Sequence, residues 1–121
     1  MRTIWTFFLA GIGLFLAGAP LLAHHSIAAV FNLDRTISLR GTVTKIEWMN
    51  PHTYIFIDVK DETTGKVTAW AIETGSSKEL AKQGWTRTSM KVGAVLIVDG
   101  AQARDGSKVV HIRTIAQPPR S

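Results

Sequence analysis

The sequence predicts a small all-β domain with one short helix, preceded by an N-terminal signal helix. Three observations carry this. Five runs place apolar residues at every second position, with turn-forming residues between them. A single internal stretch bears a helix-capping signature. The chain opens on a basic start, an apolar run and a small-residue segment, the order of a secretory leader.

In the leader, Met1-Arg2-Thr3 is the basic start, Ile4 to Leu16 the apolar run, and Ala17-Gly18-Ala19-Pro20 the small-residue segment. Cleavage after Ala23 is expected, because a cut after Ala19 would leave Pro20 at the scissile bond. The mature chain then begins at His24. An uncleaved anchor is the alternative, since Ile4 to Ala23 is about twenty residues, near the minimum for a membrane span. Pro20 and the glycines make it a poor one. Both readings put the domain outside the cytoplasm, in the periplasm or secreted, with membrane contact only through a retained leader. The expected organisation is a signal peptide at 1–23, an N-terminal segment at 24–36, a barrel domain at 37–116 and a loose tail at 117–121.

Ser26 to Phe31 is apolar and fits a short strand or a helical turn. The first long strand, Ile37 to Met49, puts Ile37, Leu39, Gly41 and Val43 on one face. The apolar phase then shifts to Ile46 and Trp48, which predicts a bulge or sharp bend. Asn50-Pro51 ends the run. Tyr54 to Lys60 is the second strand, with Ile55, Ile57 and Val59 on one face, and Asp61 to Gly65 is its hairpin turn. Lys66 to Glu73 is the third, with Thr68, Trp70 and Ile72 opposed to Val67, Ala69 and Ala71. Ser76 to Gln83 is the helix: Ser76 and Glu79 fit a capping box, Gly84 stops it, and Leu80 and Trp85 are its core contacts. Ala94 to Asp99 is the fourth strand, and Asp105-Gly106 turns the chain into the fifth, Lys108 to Ile115.

A bent first strand serving two sheets, with a helix between strands three and four, matches the OB-like five-stranded Greek-key barrel. A small β-sandwich or a β-roll shares the strand count, but the bend and the placement of the helix favour the barrel.

Cysteine is absent, which excludes disulfides, thiolate metal sites, a cysteine nucleophile and lipid attachment through a lipobox cysteine. The net charge is +5 over the whole chain and +4 once Arg2 leaves with the leader. The basic residues are dispersed, which fits solubility better than a polyanion surface.

OB barrels bind ligands across strands two and three and between the loops joining strands one to two and four to five. Here those loops are Met49 to Thr53 and Gly100 to Ser107. Trp48, Asn50, His52, Tyr54 and Trp70 are therefore the candidate ligand-binding residues, with Phe56 among the aromatics beside the loop; the competing reading is that Trp48, Phe56 and Trp70 fill the barrel, and for Trp70 it is the favoured one. The histidines form a second set. After cleavage, His24 would offer an α-amine and an imidazole, a pairing that suits copper(II), with His25, His52 and His111 available to complete a metal site. The competing reading is a solvated N-terminus and two ordinary surface histidines. Catalysis has little support. Glu47, Asp58 and Glu73 lie on strands without acid/base spacing, Ser26 beside His25 is no triad, and neither a phosphate loop nor a nucleophile elbow is present.

Several segments resemble a family of small exported bacterial proteins of unknown function. They are His24-His25-Ser26-Ile27-Ala28-Ala29, Gly41-Thr42-Val43 through Trp48, Asn50-Pro51-His52, Trp70, Glu73-x-Gly75-Ser76, Gly84-Trp85-Thr86-Arg87 and Asp105-Gly106-Ser107. The resemblance spans the mature chain, and the His-His-Ser start and the Trp-x-Asn-Pro-His segment are its specific parts. It implies export and a single domain, and carries no activity with it. Val30 and Asn32 depart from the acidic or polar residue and the aspartate that the resemblance implies there.

The expectation is thus an exported, non-catalytic binding or accessory module that engages an envelope protein or a small ligand. The alternative is a copper-type metal-binding protein. An enzyme is a distant third, and nucleic acid is an improbable partner outside the cytoplasm.

Overall fold

The computed structural model describes residues 27–120. The expected signal segment and its cleavage site lie outside them, as do His24 and His25. Among the described residues no helix is long and apolar enough to cross a membrane. The chain divides into two units; residues 27–30, a helical turn, belong to the first, and the second, from Phe31, holds the barrel.

Five strands and one helix follow in order: β1 Ile37–Glu47, β2 Tyr54–Lys60, β3 Val67–Glu73, α1 Ser77–Lys82, β4 Val95–Gln102 and β5 Val109–Ala116. They close into a barrel in the order β1-β2-β3-β5-β4, with β4 returning to β1. All pairings are antiparallel except β3 with β5, which is parallel over Ala71 to Glu73. This is the OB-like five-stranded Greek-key barrel expected from the sequence.

The first strand does the double duty that its phase shift predicts. Its N-terminal half pairs with β4, from Ile37 opposite Gly100 to Thr42 opposite Val95. From Thr42 on it pairs with β2, and the register slips between Val43 and Lys45. The extra residue turns the strand and moves the inward set from odd to even positions, so that Val43 and then Ile46 and Trp48 pack on the core. Gly41 is needed for close approach: a Cβ there would meet the Asp58 carbonyl oxygen at 2.7 Å and the Ile57 side chain at 3.0 Å.

Two boundaries differ from the sequence reading by more than one residue. The first strand ends at Glu47, before Met49. The fourth runs on to Gln102, because a register shift between Asp99 and Gly100 interrupts its alternation without ending the pairing. The barrel is filled by Val43, Ile55, Ile57, Trp70, Ile72, Leu96, Val98 and Val110, with Met90 joining them from the segment after α1. Ser76 caps α1 in a reciprocal capping box with Glu79, and Gly84 follows at φ +89°. Leu80 is buried and Trp85 packs against the core, as expected.

Candidate functional site

The loop between β1 and β2 is pinned to the end of β3 by two buried threonines. The Thr53 N–H donates to the Gly75 carbonyl at 2.9 Å, and the Thr74 N–H and hydroxyl donate to the Thr53 carbonyl at 2.9 and 3.0 Å. Both residues are fully buried, so these bonds supply partners that water cannot. The Asn50–Pro51 peptide in this loop is cis.

That anchoring fixes His52. Its Nδ1 lies 3.0 Å from the Thr74 carbonyl oxygen. A carbonyl only accepts, so Nδ1 carries the proton of this bond. The same Nδ1 is 3.6 Å from Oε1 of Glu73. From the other side, Nδ1 of His111 stands 4.0 Å from that oxygen. Register explains the meeting, since Tyr54 opposes Glu73 on the β2–β3 ladder and Glu73 opposes His111 across β3–β5. Nδ1 of His111 is buried without a hydrogen-bond partner, and the ring of Phe31 packs on the imidazole at 5.3 Å between centroids.

Beside this cluster lies the outer face of β2 and β3. With Ile55 and Ile57 turned inward, Tyr54 and Phe56 turn outward and stay half-buried. Their cross-strand partners on β3 are Glu73 and Ala71, and Ala69 follows on the same face. Alanine is too small to cover a ring, so this side of Phe56 is open. On the β1 side, the Lys45 ammonium lies 5.6 Å from the Phe56 ring and pairs with Glu47 at 2.7 Å. Burial raises the Tyr54 phenol above its ordinary value of 10.0, and the nearby Glu73 carboxylate adds to the shift.

The expected ligand-binding residues therefore separate. Asn50, His52 and Tyr54 share the loop end of this face, with Asn50 exposed and the other two partly so. Trp48 packs partly against the core, and the Arg87 guanidinium covers its ring at 5.3 Å. Trp70 points into the barrel and is 8% exposed, with the Lys108 ammonium 5.0 Å from its ring. Its side chain fills the core, the other role that the sequence allowed for it. Of the expected metal ligands, His52 and His111 come to one carboxylate, while His24 and His25 lie outside the described residues. Among the described residues no three His, Asp or Glu side chains stand where they could hold a metal ion. The sequence reading passed over Glu73 as a lone strand carboxylate and allowed Phe56 to fill the barrel, whereas its ring turns outward. Strand parity already placed Glu73 with Ala69 and Ala71 on the outer face, but nothing in the sequence brought it to the two histidines.

Solved structures share the architecture. The mitochondrial single-stranded DNA binding protein Rim1 of S. cerevisiae superposes with TM-scores of 0.54 and 0.53 in two crystal forms. Identity is 12% in both, over 69% of this chain and 92% and 94% of Rim1. Yeast Stn1 and Ten1 matches at a TM-score of 0.47 and 15% identity, over 70% of this chain and 43% of that one. At such identities the likeness to Rim1 shows the OB fold and no more. No curated protein sequence matches the chain. A family model does match, over residues 13–111, and by that match the chain belongs to a family of unknown function, DUF6152.

Proposed function

We propose that this chain is an exported, non-catalytic binding module. It engages an envelope protein or a small ligand through the outer face of β2 and β3 and the adjoining loop at Asn50 and His52. The observation that carries the reading is the pair of outward rings, Tyr54 opposite Glu73 and Phe56 opposite Ala71, with Ala69 next on the same face of the partner strand. Half-exposed aromatics on a rigid sheet present apolar area with little conformational entropy left to lose. Nothing in the fold of β2 and β3 requires aromatics there, since their inner faces already fill the barrel.

The anchored loop supports the same surface, because Thr53 and Thr74 hold His52 in place before any ligand arrives. Rim1 is a single-stranded DNA binding protein. A protein or small-molecule partner fits an exported chain better than nucleic acid does.

The test is comparative capture from envelope extracts, with the mature chain as bait beside its Tyr54→Ala, Phe56→Ala and His52→Ala variants. The variants should keep the wild-type circular dichroism spectrum and lose a partner that the wild type recovers. Equal recovery by all four would remove this face as the site. Mass spectrometry of the exported chain should find His24 at its N-terminus; an intact leader would replace export by anchoring.

A further inference from the structure

We propose that the free edge of β3, at Val67 and Ala69, takes up an extended peptide segment of a partner as an added antiparallel strand. This rests on the reading of the β2–β3 face as a binding surface and names the kind of partner it fits. One edge of β3 pairs with β2 along its whole length, from Val67 opposite Lys60 to Glu73 opposite Tyr54. The other pairs with β5 only over Ala71 to Glu73. Among the described residues no strand pairs with that second edge before Ala71. Alternation decides which main-chain groups stand there. The Asp61 N–H donates to the Lys66 carbonyl at 2.8 Å, on the β2 side, and the Ala71 N–H donates to the Lys108 carbonyl at 3.0 Å, on the β5 side. Lys66, Thr68 and Trp70 therefore direct their main-chain groups to β2, and Val67, Ala69 and Ala71 direct theirs the other way. The N–H and C=O groups of Val67 and Ala69 are left on the open edge, and among the described residues nothing hydrogen-bonds to them.

The side chains beside these groups are apolar and uncovered: Val67 is 54% exposed, and Ala69 is exposed as well. Val67-Thr68-Ala69-Trp70 contains neither proline nor a charged residue, the devices that blunt such an edge. The groups themselves specify the occupant. Alternating donors and acceptors along a strand edge are matched by another extended backbone. A free stretch of four residues, Val67 to Trp70, spans about 13 Å. That is enough to seat one strand of peptide, and far short of the roughly 800 Å² per partner that a stable interface between two folded copies buries. In antiparallel pairing, directly opposite residues share a face, so the peptide residues opposite Val67 and Ala69 would also stand on the outer face. A large apolar side chain there has room to lie across Ala69 and Ala71 toward the outward ring of Phe56. Main-chain pairing at the edge thus supplies the grip, and the β2–β3 face supplies the preference for an apolar side chain.

The probe is a soluble peptide of about eight residues that alternates leucine with threonine, titrated into the mature chain and followed by amide hydrogen exchange in NMR. In the free chain the Val67 and Ala69 amides should exchange fast, while those of Thr68 and Trp70, bonded to β2, are protected. Saturating peptide should slow exchange at Val67 and Ala69 at least about tenfold. The decisive comparison is between two N-methylated forms of the peptide. With the leucines on the outer face, their amides point at β3, so methylating them should weaken binding about tenfold or more, whereas methylating the threonine amides should leave it unchanged. Ala69→Pro removes one N–H from the open edge and keeps the bonds from Thr68 and Trp70 to β2, so it should weaken binding likewise. Circular dichroism checks its fold, and the two methylated peptides give the same answer on the wild-type chain. Main-chain pairing tolerates many sequences, so absence of saturable binding would overturn the proposal. Equal binding by both methylated peptides would do so too, as would Val67 and Ala69 amides already protected in the free chain. Protection that appears with rising protein concentration and no peptide would assign the edge to a second copy instead. Capture through Tyr54 and Phe56 is read separately: capture that needs both rings, with no change at the Val67 and Ala69 amides, would leave the face standing and remove the edge, and the converse would do the reverse.

Discussion

Replacing Gly41 by alanine tests the reasoning about the barrel at its tightest point. Gly41 has an ordinary strand conformation, so alanine meets no backbone penalty there. Its difficulty is space. The new Cβ would stand 2.7 Å from the Asp58 carbonyl oxygen, 3.0 Å from Cδ1 of Ile57 and 3.1 Å from Cγ2 of Val59. The first neighbour is main chain in the adjoining strand, so β1 and β2 must move apart where they begin to pair. Overpacking of this kind costs about 1–3 kcal/mol. The restricted unfolded chain returns about 0.4–1 kcal/mol. The net expectation is a loss of about 1–2 kcal/mol, or a fall in Tm of about 5–15 °C for a domain of this size. Urea unfolding of the mature chain, followed by tryptophan fluorescence, measures it with the slope unchanged. Gly65 is the control, because it has open space around it and φ +73°. Asparagine tolerates that conformation, so Gly65→Asn should be nearly neutral, while Gly41→Asn should be worse than Gly41→Ala. A Gly41→Ala protein as stable as wild type would refute the argument that this glycine exists for close approach.

Three further outcomes follow from the same geometry. Ser76→Ala should remove the bond that the Glu79 N–H donates to the Ser76 hydroxyl, keep the one from the residue 76 N–H to the Glu79 carboxylate, and destabilise the domain by about 0.5–2 kcal/mol in denaturant unfolding. Tyr54 is the single tyrosine, so its phenolate absorbance can be followed without overlap; its midpoint should lie above 10.0 and fall in Glu73→Gln, yet stay raised because burial is the larger cause. The carboxyls of Asp61 and Asp105 are held below their ordinary value, Asp61 by the N–H groups of Thr64 and Thr63 and Asp105 by the hydroxyl and N–H of Ser107. Each adds stability that is present above the unfolded-state value and lost as pH falls through the lowered one. An Asp61→Asn, Asp105→Asn protein should therefore lose less of its Tm than wild type on acidification from pH 5 to about pH 2.5, as read by thermal scans.

Most of the barrel was legible because strand parity is a local signal. Tyr54 to Lys60 alternates strictly and forms β2 between those same residues. The phase slip after Val43 announced the bulge, and Ser76 with Glu79 announced the helix cap. What escaped depends on closure. Phe31 is buried because it bridges to Ala103 across the β4–β5 turn, a contact that no periodicity encodes. Met90 enters the core from a segment without regular structure. The site was legible in the same proportion. Asn50, His52 and Tyr54 adjoin in sequence and adjoin in space, whereas Glu73 meets His111 only through the parallel pairing of β3 and β5.

The shifted register in β1 bears on how this chain can change in length. Substitutions within Ile37–Glu47 alter one side chain at a time, and exposed positions such as Thr44 should accept many of them. Removing a single residue there is a different event. Deletion of Thr44 would abolish the bulge: Val43 and Ile46 would then stand two apart and still share the inward face, but the turn by which β1 leaves β4 and pairs with β2 would be lost. Adding one residue within the regularly paired stretch from Ile37 to Thr42 would turn the inward set on one side of it outward. Sequence drift in this domain is therefore free to replace residues along β1 but not to add or drop them, and changes of length belong in the Asp61–Gly65 turn and beyond Ala116.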